Sequence, residues 1–217
     1  MDNYFAKYVR GFANNKEQAA KLFNSDNIVG DLFQIKTNIK DGKHTSLIYN
    51  KFGDAPVFFN EEISREIEIL KSKNMNIVGI LSLVGFSEDK GEDRVSNYWA
   101  EFLIIAYPKN YSEEFNNFVN NASKKLSNGT RPDASLNKQE VEKVISTKGQ
   151  WFPSKTKKMP KKEKGTVFLR TRKTLKDRII EQGRKKNIGC YIVSWVFLLL
   201  FVTFLIYFIS RIVGISG

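Results

Sequence analysis

From Ile188 to Ser210 the chain runs for 23 residues without a charged side chain. A helix of that length, at about 1.5 Å per residue, crosses a hydrocarbon core of roughly 30 Å. A helix that is apolar all round has to be buried in protein or in lipid, so no other stretch limits the fold as strongly. Its aliphatic hydroxyls, on Ser194, Thr203 and Ser210, can bond to the preceding helical turn and cost little in hydrocarbon. Tyr191, Trp195 and Tyr207 lie toward the two ends, where interfacial aromatics sit. Seven residues follow, Arg211 to Gly217. The sequence therefore predicts a tail-anchored, single-pass membrane protein. The start, Met-Asp-Asn-Tyr-Phe-Ala-Lys, has no apolar core of the kind a signal peptide needs.

Charge divides the rest. The net charge of +12 suggests a nucleic-acid binder until it is taken by region. Residues 1–147 carry 19 Lys and Arg against 20 Asp and Glu, whereas residues 148–187 carry 15 against 3. The positive charge thus sits in the approach to the span. By the positive-inside rule this places the N-terminal region in the cytoplasm. The predicted divisions are a cytoplasmic domain over 1–147, a basic linker and juxtamembrane helix over 148–187, the anchor over 188–210, and a short tail on the far side over 211–217. Few aromatics interleave with the basic residues, which argues against nucleic acid as a partner.

Along the chain, Phe5, Tyr8, Phe12, Ala19, Leu22 and Phe23 recur at helical spacing and predict a first helix over 2–24. Two strands follow, 31–39 and 44–50, joined by a hairpin turn at Asp41-Gly42. Pro56 to Phe59 reads as an edge strand, where proline is tolerated. Asn60 caps a helix with Glu61 and Glu62 in its first turn and Ile63, Ile67 and Leu70 on one face. Residues 76–86 are apolar on both faces, as in a strand covered on two sides. An acidic turn leads to a long strand over 95–107. Ser112 caps a helix with Phe115, Phe118, Val119, Ala122 and Leu126 on one side, closed by Asn128-Gly129. Short helices over 136–146 and 174–186 and a short strand over 166–170 complete the reading.

The predicted fold class is α+β: one antiparallel sheet with helices, in the order αββ(β)αββα, then the basic linker and one C-terminal transmembrane helix. That order is similar to the class I type III secretion chaperones and to the longin and roadblock group of profilin-like trafficking modules. The likeness is one of element order and implies fold alone.

Candidate sites follow from these divisions. Lys176, Arg178, Arg184, Lys185 and Lys186 are placed to contact anionic lipid headgroups, at about 1 kcal/mol each. Cys190, just inside the span beside a basic flank, is a candidate for S-acylation. As the sole cysteine it also removes any internal disulfide. The sequons at Asn110, Asn121 and Asn128 are read as unused on the cytoplasmic side. Val57, Phe58, Phe59 and Trp99 are the expected partner surface. With one histidine, His44, no Ser-His-Asp triad or His-rich metal site is expected beyond that residue, and no cofactor motif is present. The functional expectation is a membrane-tethered adaptor or assembly component whose partners are anionic lipids and a protein. The alternative is an enzyme acting on a membrane-proximal substrate, with a pocket around His44, Tyr98 or Glu101.

Overall fold

The computed structural model describes residues 4–13, 15–24, 26–40, 42–88, 97–184 and 188–214. Lys185 and Lys186, most of the acidic turn after Glu88, and the last three residues of the tail lie outside that set.

The expected first helix is two elements. Phe5–Phe12 is a strand, β1, and Lys16–Phe23 is a short helix, α1, capped by Asn15, which accepts from the Gln18 amide. The strand wins because both its faces are covered. Phe5 and Val9 face one apolar cluster, and Tyr4, Ala6 and Tyr8 face another. Gly11 fits only because it has no Cβ, which would collide with Val57. The spacings of three and four that suggested a helix are also sampled by two alternating faces.

The hairpin is β2 (Leu32–Lys40) and β3 (Lys43–Tyr49), closed across Lys40 and Lys43 with Gly42 at φ +73°. The strand β4 (Val57–Phe59) is not an edge: it lies between β3 and β1, with Pro56 just outside the paired residues. Next come α2 (Glu61–Ser72), β5 (Met75–Ser87), β6 (Asn97–Pro108), α3 (Ser112–Ser127) and α4 (Lys138–Ser146). Asn60 caps α2 as expected, whereas the cap position of α3 is Tyr111, not Ser112.

The sheet order is β2-β3-β4-β1-β6-β5, all antiparallel, and β5 pairs back to β2 through Leu32 and Ile80, Phe33 and Gly79, and Gln34 and Val78. The expected open sheet is thus a closed six-stranded barrel, which removes its edges. The chain is of mixed α+β class. Phe33, Ile48, Val57, Phe59 and Phe102 fill the interior, and Ile63 and Ile67 of α2 and Leu22 of α1 complete it. A second core lies on the outer face of β1, β5 and β6. There Ile80, Leu103, Ile105 and Tyr107 meet Phe115, Phe118 and Val119 of α3 and Val144 of α4. The two cores explain why β5 and β6 are apolar on both faces.

The segment expected as a linker is held on this unit. Phe152 stacks on Phe118 at 4.5 Å, and Pro132 and Thr156 form a β-bridge. The strand β7 (Thr166–Arg170) adds to β5, from Ser87 with Thr166 to Val84 with Arg170. One compact unit spans Met1–Lys173 and a second spans Thr174–Gly217. The second contains α5 (Leu175–Arg184) and α6 (Ile188–Gly214). Thr174 and Asp177 cap α5 reciprocally: the Thr174 amide donates to Asp177, and the Asp177 amide to the Thr174 hydroxyl.

Candidate functional site

Within α6, the span Ile192–Arg211 has a mean hydropathy of 2.7 and none of it is buried. Its length and composition suggest membrane association. Thr203 donates to the Leu199 carbonyl at 2.7 Å and Ser210 to the Tyr207 carbonyl at 2.8 Å, so these hydroxyls need no water. Cys190 lies in the first turn of α6. In α5, Leu175 and Ile179 are 76% and 69% exposed, and Lys176 and Arg178 beside them are exposed too. Arg184 is the last residue of α5.

The expected partner surface is corrected. Val57, Phe59 and Trp99 are buried, and only Phe58 is part-exposed, with its ring 6.5 Å from that of Phe12. Val57 and Phe59 point into the barrel because β4 is an interior strand. Trp99 lies under a cover. The Arg10 guanidinium sits 4.3 Å from its ring centre, Phe168 stands edge-on at 6.1 Å, and its indole N–H donates to Ser87 Oγ at 2.9 Å.

His44, Tyr98 and Glu101 do not converge. His44 lies on β3, opposite Ile39. Tyr98 packs between Phe23 and Phe86, each about 5.0 Å away. Glu101 is buried against Arg131, whose Nη1 donates to Glu101 Oε1 and, at 2.8 Å, to Ser82 Oγ. Ser82 is presented by the irregularity between Leu81 and Leu83 in the β5–β6 ladder. The Arg131 guanidinium also stacks 4.2 Å from the Tyr8 ring, and the Tyr8 hydroxyl donates to the Pro132 carbonyl at 2.8 Å. Burial pushes the Tyr8 hydroxyl pKa up, and Arg131 opposes it. Asp133 is held low: burial raises it, but the Ser135 amide and Lys157 at 3.4 Å outweigh that. Among the described residues no three metal-binding side chains gather.

Beside this cluster, between Tyr4, the start of α3 and α4, lies a cleft of about 270 Å³. Tyr4, Tyr111, Phe115, Leu136, Val141 and Ile145 line it. Its floor is a ring stack, Tyr4 on Phe115 at 5.4 Å and Phe115 on Tyr107 at 5.1 Å. Tyr4 donates to the Ala134 carbonyl at 2.7 Å, and burial raises its pKa well above the usual tyrosine range, with Asp133 and Glu140 adding to the effect. Asn110, Asn137, Lys138 and Glu142 form a polar rim. A second, open hollow of about 620 Å³ is lined by Lys7, Glu61, Glu62, Arg65, Glu66 and Ile69, with Lys7 and Glu66 paired at 3.1 Å. Neither contains His44, Tyr98 or Glu101.

Sequence reasoning missed the cleft and the Glu101–Arg131 pair. Tyr4 and Phe115 are distant in sequence, and Arg131 reads as an ordinary turn residue before Pro132. No known protein family, curated protein or solved structure matches the chain.

Proposed function

We propose that this is a single-pass membrane protein in which α6 is the anchor. The barrel domain faces the cytoplasm and acts as a protein-binding adaptor or assembly component at the membrane surface. The observation that carries the reading is the combination, in one chain, of a bare apolar span with a folded domain whose cleft has an aromatic floor and a polar rim. Binding sites have that composition: apolar lining for affinity, few polar groups for orientation. The concentration of Lys and Arg before the span supports the cytoplasmic orientation. Lys176 and Arg178, with Arg184, Lys185 and Lys186, are proposed to hold α5 at anionic headgroups.

The test is proximity labelling from the domain in the native host, with the wild-type chain compared with Val141→Arg. Val141 is part-exposed in the cleft, so the substitution blocks the site without entering the barrel. A stoichiometric membrane complex that is labelled by the wild type and lost in the variant is the expected result. Equal labelling by both chains would sink the reading.

A further inference from the structure

Residues 154–173 carry nine Lys and Arg against one acid, Glu163. In a free linker these charges would be scattered. Here they are displayed by the folded domain. The Asp133 amide donates to the Lys155 carbonyl at 2.9 Å and the Lys157 amide to the Arg131 carbonyl at 2.8 Å, which fixes the start of the segment. Its end is fixed by β7 and by Arg170, whose guanidinium donates to the carbonyls of Phe23, Asn24 and Asn27 at 2.7, 3.1 and 2.8 Å.

The exposed side chains of β7 are apolar. Along Thr166–Arg170 burial alternates: Phe168 packs on Trp99, while Val167 and Leu169 are 49% and 45% exposed. Met159 is exposed as well, and so are Lys158, Lys161, Lys164 and Arg172, which flank these three in the sequence. Exposed aliphatic side chains set among lysines are the composition of a surface that enters the headgroup region of an anionic bilayer.

Fourteen residues separate Lys173 from Ile188. Ten form α5, which contributes about 15 Å, and the other four add at most about 14 Å. The bilayer that holds α6 is therefore within covalent reach of this surface at all times.

We infer that the exposed face of residues 158–172 docks on the anionic bilayer, with Val167 and Leu169 as its apolar contacts. The inference rests on α6 being a membrane anchor. A protein strand added to β7 is the competing occupant, and the lysines disfavour it, since charged side chains of this kind blunt strand edges. Each lysine at an anionic surface shifts the docked equilibrium by about fivefold, so three shift it by about a hundredfold.

The experiment uses the full chain in proteoliposomes, in a Cys190→Ala background. An environment-sensitive fluorophore is placed at Val167→Cys and, as a control, at Ser72→Cys on α2. In phosphatidylcholine vesicles containing phosphatidylglycerol, the probe at 167 is expected to shift to the blue and to be quenched by headgroup-proximal spin-labelled lipid. In about 1 M salt, where screening acts within about 3 Å, it is expected to return to its aqueous spectrum. The triple variant Lys158→Gln/Lys161→Gln/Lys164→Gln is expected to do the same, and the probe at 72 to stay aqueous throughout. An aqueous probe at 167 in anionic vesicles that carry the chain through alkaline flotation would overturn the docking face alone. So would a blue shift that ignores lipid charge and salt but grows with the protein-to-lipid ratio, which is strand addition between copies. A chain lost from the vesicles on alkaline flotation would overturn the anchor itself.

Discussion

Phe168 stands edge-on to Trp99, with ring centres 6.1 Å apart. The two residues are 69 positions apart, and their contact makes a lysine-rich segment part of the folded unit. Truncating Phe168 to alanine should cost about 2 kcal/mol, less than for a fully buried ring because Phe168 is part-exposed. The loss should be local. Trypsin cleavage after Lys161, Lys162 and Lys164 should speed up while amides of β6 keep their hydrogen-exchange protection. Unchanged cleavage would mean that β7 is not held by this contact.

Glu101 and Arg131 form a buried ion pair, with each side chain 8% exposed. Breaking it with Arg131→Met leaves Glu101 as an uncompensated buried charge and should cost about 3–5 kcal/mol in chemical unfolding of the detergent-solubilised chain. The double variant Glu101→Leu/Arg131→Met should recover most of that loss, because two apolar side chains need no partner. A double variant as unstable as the single one would show that Arg131 acts through something other than the pair.

Two glycines at nearly the same backbone angle should behave differently. Gly149, at φ +75°, has no room for a Cβ, which would collide with the Glu114 carbonyl oxygen. Gly42, at φ +73°, has nothing within 4 Å. Gly42→Ala should cost about 1 kcal/mol, from the left-handed conformation alone. Gly149→Ala should cost at least about 3 kcal/mol, since the end of α4 and the start of α3 must also separate. Equal losses of thermal stability in the two variants would refute this account of Gly149.

The tyrosines predict an alkaline limit. Burial raises the folded-state pKa of Tyr4 and of Tyr8. Stability from a raised group is fully present below the unfolded value, about 10 for tyrosine, and is lost as pH climbs toward the folded value. Unfolding followed above pH 10 should therefore show a steep loss in the wild type. The loss should be shallower in Tyr4→Phe and Tyr8→Phe, each of which also lacks one hydrogen bond to a carbonyl. Identical alkaline slopes in all three proteins would contradict the assignment.

What the sequence makes legible is what depends on near neighbours. The β2–β3 hairpin, the Asn60 cap, the apolar stripe of α3 and the span in α6 are all set by residues within a few turns of one another. Long-range relations were not legible. Barrel closure depends on three pairs between β2 and β5, some 45 residues apart, and has no local signal. Phe5, Tyr8 and Phe12 look helical because β1 is covered on both faces, which hides the alternation of a half-buried strand. Residues 154–173 look like a linker because their charge is high. A few side chains, Phe152, Phe168 and Arg170, hold the segment down instead. Val57, Phe59 and Trp99 stand out in the sequence because they are large and apolar, and that is why the fold buries them.

The central claim, a barrel domain held on the cytoplasmic side by α6, is tested most directly by cysteine accessibility in intact cells of the native host. In a Cys190→Ala background, Ser72→Cys reports the domain and Ser216→Cys reports the residues beyond the span. The account predicts that a membrane-impermeant maleimide labels position 216 in intact cells and position 72 only after permeabilisation. Labelling of position 72 in intact cells, or extraction of the chain from membranes at alkaline pH, would contradict it.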